Sequence, residues 1–233
     1  MKMGPPKGVR LRAKRYGETS PKPWRRRGHY AVGLLLIGAV AVGCTSSPGP
    51  ADDAAYLQKV IEWRVERDKT WSESDDPIPK ERHAEFLPLK YFEPDANYAV
   101  PAELKLSDVR PVVELPTSTG TLRKMQVVGT LEFTLNGQKL SLGALSPAGE
   151  PIRALFVPFA DLTTKQETYA AGRYMDIEPT ATGLYTIDFN YAYNPTCAYN
   201  KSYECPYPPP SNRLQVAVRA GEKAPHPEKA PGE

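Results

Sequence analysis

Residues 183–222, GLYTIDFNYAYNPTCAYNKSYECPYPPPSNRLQVAVRAGE, carry the reading of this chain. The stretch opens as a strand. Alternation puts Tyr185, Ile187 and Phe189 on one face and Thr186, Asp188 and Asn190 on the other. The first set suits a core. The second sets a carboxylate beside an amide, either as ligand contacts or as polar groups that tie down the next loop. That loop holds Asn194-Pro195, Cys197, Cys205 and Pro208 to Pro210. Proline fixes φ and removes donors, so the loop is stiff without being regular. RLQVAVRA, Arg213 to Ala220, then alternates again and predicts a closing strand.

Upstream, the clearest hairpin surrounds Asn136-Gly137, a dipeptide that favours a type I′ turn. With Leu135 opposite Gln138, Phe133 meets Leu140 and Leu131 meets Leu142, so turn and apolar pattern agree on one register. Further short strands are expected over Lys90–Phe92, Tyr98–Leu106, Arg110–Leu115, Arg153–Phe159 and Gly172–Ile177. The last is expected to pair antiparallel with Gly183–Asn190, with Ile177 opposite Leu184 and Arg173 opposite Asp188. Before the strands, AAYLQKVIEWRVERDKTW spaces Leu57, Val60, Ile61 and Val65 as the apolar stripe of a helix from about residue 53 to 70, flanked by Tyr56 and Trp63 and capped by Asp52 or Asp53. The fold class is therefore mainly β: an antiparallel β-sandwich or partly closed barrel with one N-terminal amphipathic helix.

The N-terminus reads as an address. Arg25 to Arg27 precede the apolar run Tyr30 to Val42, which is too short for a span of roughly 20 residues. The run ends Ala41-Val42-Gly43-Cys44, which looks like a lipobox with Ala41 where Leu is usual. An uncleaved membrane anchor is the competing reading. The expected organisation is a lipoprotein-type signal peptide over 1–43, a lipid-anchored tether over 44–52, one domain over 53–222 and a flexible tail over 223–233. Cys44 would carry the lipid and hold the protein on the extracytoplasmic membrane surface, with Thr45 compatible with outer-membrane sorting. The formal charge of +3 belongs to this leader. Ten of the 30 Lys and Arg precede Cys44 against one acid, Glu18, so the remainder holds 20 bases against 26 acids. That balance gives no electrostatic footprint for nucleic acid. Cys197 and Cys205 remain as an even pair, eight apart, in an oxidising compartment. A disulfide between them would contribute roughly 2–3 kcal/mol by loop closure.

Common catalytic signatures are missing. His29 and His226 lie in the leader and tail, leaving His83 for any histidine chemistry. No phosphate-binding loop or dinucleotide fingerprint occurs, so no cofactor is expected. Asp188, Asn190 and Asn194 do not have EF-hand spacing, and no metal site is expected.

Three segments carry a resemblance: FVPFADLTTKQETYAAGRYMD (Phe156 to Asp176), IDFNYAYNPTCAYNKSYECPYPPPSNRL (Ile187 to Leu214) and AGEK (Ala220 to Lys223). They resemble the bacterial domain-of-unknown-function family 1684, in its shorter, lipoprotein-type form. The family's motif residues fall here on Asp161, Thr168, Tyr169, Arg173, Asp188, Asn190, Asn194, Cys197, Cys205, Pro206 and Asn212. The resemblance implies no established activity.

Three functions compete. The first is a lipid-anchored envelope protein that binds a glycan, peptide or protein partner through the 183–212 face, with Asp161, Arg173, Asp188, Asn190, Tyr193, Asn194, Tyr199 and Asn212 as contact residues. Five tyrosines, 191, 193, 199, 203 and 207, favour it, since rings cover apolar faces while amides direct hydrogen bonds. The same rings could instead pack the Pro-rich loop. The second is a hydrolase using Asp161 and Asp188 as paired carboxylates. The third is a structural envelope component without a ligand.

Overall fold

The computed structural model describes residues 50–226. The leader, Cys44 and the tail beyond His226 lie outside the described residues. Helix α1 spans Pro50–Glu73, and a short helix α2 spans His83–Phe86. Seven strands follow: β1 (Ala99–Leu106), β2 (Val112–Pro116), β3 (Leu122–Leu135), β4 (Gln138–Pro147), β5 (Leu155–Phe159), β6 (Arg173–Ile177) and β7 (Leu184–Asp188).

The Asn136-Gly137 hairpin sets the frame. Both residues have positive φ, 49° and 76°, as a type I′ turn requires. Leu135↔Gln138, Phe133↔Leu140 and Leu131↔Leu142 pair in the register that the apolar pattern dictates. Strand β3 is long enough to hold two partners along its other edge. β2 pairs with its first part and β1 with its second. The sheet order is β6-β5-β4-β3-β1-β7, all antiparallel, and it curls into a half-barrel. Of the two architectures expected, this is the partly closed barrel. Its edges meet just past β7, where Tyr174 and Tyr193 exchange both backbone bonds, at 2.8 and 3.0 Å.

That order corrects one expected pairing. β6 and β7 are the two edges of the sheet, not neighbours. β6 pairs with β5, and β7 with β1, so Arg173 stands opposite Phe159 and Asp188 opposite Ala99. The apolar pattern could not separate the alternatives because β5 and β6 are covered on both faces. Leu155, Val157, Phe159 and Met175 enter the main core, while Phe156 and Tyr174 pack on the outer side.

Two other segments differ from expectation. Lys90–Phe92 contributes a single bridge, Tyr91 to Glu222. Arg213–Ala220 alternates as a strand should, with Leu214, Val216, Val218 and Ala220 in the main core, yet forms no ladder. Its polar backbone groups are taken by side chains and by the Ala160–Leu162 loop instead.

Helix α1 packs by a different face from the one the aliphatic spacing predicts. Ile61 and Val65 are exposed, whereas Val60 and Arg64 are buried and Trp63, Arg67 and Trp71 are partly covered. The covered set recurs every three or four residues, so it is still one helical stripe.

Candidate functional site

Arg173 and Asp161 form an enclosed ion pair at 2.7 Å, with side-chain exposures of 1% and 0%. The guanidinium also donates to the Val218 carbonyl at 2.8 Å, the Glu222 carbonyl at 3.3 Å and the Ala220 carbonyl, and lies over the Phe159 ring. Asp161 accepts from the Thr163 N–H at 2.7 Å and from the Val218 N–H at 3.4 Å. The pair thus takes the place of a strand edge, bonding three carbonyls and one N–H of the C-terminal run. Burial pulls the Arg173 guanidinium below its ordinary range, and the Asp161 carboxylate opposes that. Asp161 has no open face for a substrate. It and Asp188 belong to separate networks, so the expected carboxylate pair is not assembled.

Glu222 is a second hub, 1% exposed. Arg67 of α1 donates to it at 3.1 Å, the Tyr199 hydroxyl at 2.9 Å and the Asn194 N–H at 2.6 Å. Burial pushes its carboxyl above the usual range, and the Arg67 charge opposes that. Gly221 delivers Glu222 there. Its φ is +77°, and a Cβ would lie 2.5 Å from the Ala192 carbonyl oxygen. Asn194 is anchored by its amide, which donates to the Lys223 carbonyl at 2.8 Å. Lys223 and Ala224 also donate their N–H groups to Lys90 and Glu167, so the bonded run continues past the end expected for the domain.

Asp188 and Asn190 belong to a third network. Tyr56 of α1 donates to Asp188 at 2.7 Å and accepts from the Asn190 amide at 2.8 Å. Asn190 also bonds both the N–H and the carbonyl of Asp95. Burial raises the Asp188 carboxyl, and the Tyr56 hydrogen bond opposes the rise. Asn212 is fully matched: it accepts from the Gly143 N–H and donates to the Gly143 and Pro158 carbonyls, pinning the Pro-rich loop to β4 and β5.

These polar residues therefore hold the molecule together. Arg173, Asp188 and Asn190 line none of the principal cavities of the described residues. The tyrosines divide. Tyr191 packs edge-on against Trp63, and Tyr199 against Trp71 and Phe86. Tyr207 lines a groove of about 660 Å³ beside the Pro-rich run, and Tyr193 lines a cleft of about 700 Å³.

That cleft, about 700 Å³, lies on the outer face of β5 and β6. Phe156, Tyr174, Tyr193 and Pro206 form its walls, with Cys205 beside them. Arg123, Lys124, Arg153, Glu150, Asp176 and Glu204 also line it. Arg123 pairs with Glu204 at 3.1 Å, and Tyr193 donates to Asp176 at 2.5 Å. Lys124 and Arg153 make no ion pair among the described residues, and neither do two of the acids, Glu150 and Asp176, the latter bonded only by the Tyr193 hydroxyl. Sequence reading missed Phe156, Tyr174, Lys124 and Arg153. The signal available was the outward alternation of Phe156 and Tyr174 on strands that otherwise read as core.

The expected disulfide is not formed in this structure. Cys197 and Cys205 are two buried thiols with sulfurs 3.1 Å apart, where a bond needs about 2.05 Å.

Fold and site together define a class: a mainly antiparallel β half-barrel, braced by an N-terminal helix through buried charged side chains, with a cleft on its outer face. A family model described as "Protein of unknown function (DUF1684)" matches residues 84–223, and the chain belongs to that family. It is also similar to the solution NMR structure of an uncharacterized protein of Haloarcula marismortui. The two share 40% identity with a TM-score of 0.59, covering 74% of this chain and 96% of that one. No curated protein matches.

Proposed function

We propose that this chain is a lipid-anchored, extracytoplasmic binding protein whose outer cleft takes an envelope glycan or peptide bearing an acidic group. The anchor reading rests on the Arg-flanked apolar run that ends at Cys44. The binding reading rests on one observation. Within about 700 Å³, aromatic walls from Phe156, Tyr174 and Tyr193 stand beside Lys124 and Arg153, which have no ionic partner among the described residues. Rings can cover the apolar faces of a sugar or peptide, and a guanidinium grips a carboxylate with two parallel bonds. The face is that of the Tyr-rich loop, but the contact residues differ from those the sequence nominates. Of the nominated set, only Tyr193 has its ring in the cleft.

Calorimetric titration with a muropeptide tests this reading. Arg153→Ala should weaken binding by about tenfold or more, the loss of a charge-assisted hydrogen bond worth about 1.5–3 kcal/mol. Amidation of the ligand's carboxylate should weaken wild-type binding to a similar degree. Saturable binding that ignores both changes would contradict the charge assignment, and an absence of saturable binding would remove the muropeptide reading.

A further inference from the structure

The sulfur pair borders the cleft. Cys205 lines it at 4% exposure, and Cys197 lies behind it at 1%. The Cys205 sulfur is surrounded by donors: the Cys197 N–H at 3.2 Å, and the Thr196 hydroxyl at 3.5 Å. Its backbone is fixed on both sides by Ser118, which accepts from the Cys205 N–H at 3.0 Å and donates its own N–H to the Cys205 carbonyl at 2.9 Å. The donors favour a thiolate on Cys205. The Cys197 thiol contributes most, followed by the Thr196 hydroxyl, the Cys197 N–H and the Arg123 charge, against burial, and they hold the Cys205 thiol down to about 6. The same contact, and then burial, raise Cys197. Stabilising the reduced form of a dithiol makes its disulfide easier to break, the opposite of what a purely structural bond needs.

We propose that Cys205 and Cys197 form a reversible thiol–disulfide exchange site opening into the cleft, with a peptide or small-thiol disulfide as substrate. The Cys205 thiolate attacks one sulfur of the substrate disulfide. A Cys205–substrate bond forms, the substrate S–S bond breaks, and the first thiolate leaves. Cys197 gives its proton to that thiolate and attacks the Cys205 sulfur, expelling the second substrate sulfur as a thiolate that takes a proton from water. Two electrons have passed to the substrate, and the chain is left with a Cys197–Cys205 disulfide. An exported dithiol reductant restores it by the reverse sequence. The attacking residue lines the cleft and the resolving sulfur is in contact behind it, the order this scheme requires. Delivery of a peptide substrate rests on the cleft reading above, whereas the sulfur chemistry does not.

The test uses the reduced full chain with Cys44→Ser throughout, so that Cys197 and Cys205 are its only thiols, and oxidised glutathione, followed by mass spectrometry. With both members of the pair present it should lose two hydrogens and retain no glutathione. Cys197→Ser should retain one glutathione, on Cys205. Cys205→Ser should react at least about tenfold more slowly at neutral pH. Equal rates for the two variants would overturn the proposal, as would retention of glutathione on Cys197. Iodoacetamide labelling of the chain with both members of the pair intact gives a check that no substitution in the pair can cloud. Cys205 should be modified first, with a midpoint below the ordinary thiol range of about 8.5. A midpoint at or above that range, or a wild-type bond that native-state dithiothreitol cannot reduce, would overturn it. Muropeptide binding that fails while this chemistry succeeds would remove the cleft ligand and leave the exchange site standing.

Discussion

Arg173 shows how one side chain can stand in for a strand. The run Leu214 to Ala220 has the alternation of a β-strand and its apolar residues reach the main core. It lacks a ladder because Arg173 and Asp161 take Val218, Ala220 and Glu222 as backbone partners. Removing one member of an enclosed pair strands the other charge, at a cost of about 3–5 kcal/mol. Arg173→Met should therefore lower the urea midpoint strongly. Adding Asp161→Leu should recover part of the loss, since the carboxylate no longer lacks a partner, but not all of it, because the carbonyls stay unmatched. Combining Arg173→Met with a change at Asp188 should give additive losses. Coupling to Asp188 rather than Asp161 would mean that the charge network is wrongly assigned. Sequence alone shows that Arg173 is special, since a charged residue interrupts a buried-strand pattern. It could not show the partner, because Asp161 and Asp188 are both acids at strand ends and only the sheet order separates them.

At the scale of elements, the helix and the C-terminal run depend on each other through Arg67 and Glu222. The aliphatic spacing of α1 made Ile61 and Val65 natural core residues, yet both are exposed. The buried stripe is aromatic and cationic because the surface it meets is a set of carbonyls and two carboxylates, Glu222 and Asp188, which guanidinium and hydroxyl groups satisfy and methyl groups cannot. Arg67→Met removes the charge that opposes the upward shift of Glu222. The folded state then holds a proton more tightly than the unfolded state. Its stability is fully present below the ordinary carboxylate range and is lost as pH rises through the raised folded value. The destabilisation should therefore be smallest at about pH 4 and below, and grow as pH rises to neutral and above, measured as urea midpoints against wild type at each pH. A defect that does not vary with pH would show that Glu222 is not the group left uncompensated. The hairpin at Asn136-Gly137 was legible to the residue because turn chemistry and alternation agree there. The β6 and β7 pairing was not, because a six-residue connection permits a hairpin as readily as a turn between two edges of a curled sheet.

For the whole molecule, the strand-rich pattern and single leading helix were enough to give the architecture, whereas the cleft was not legible. Its walls come from β3, β5, β6 and the Tyr-rich loop, which only folding brings together. The nominated polar residues read as a site because they are unusual, but most are unusual for bracing the fold. The address at the N-terminus is tested separately. Metabolic labelling with a palmitate analogue should mark wild type and not Cys44→Ser, and equal labelling of both would remove the anchor. The central claim is that ligand recognition belongs to the outer cleft and that the Asp188–Asn190 network is a brace. Amide chemical-shift mapping during titration with a muropeptide tests this most directly. The prediction is shifts that cluster at Lys124, Arg153, Phe156 and Tyr193 while Asp188, Asn190 and Arg173 stay in place. Shifts centred on Asp188 and Asn190, or none at saturating ligand, would contradict it.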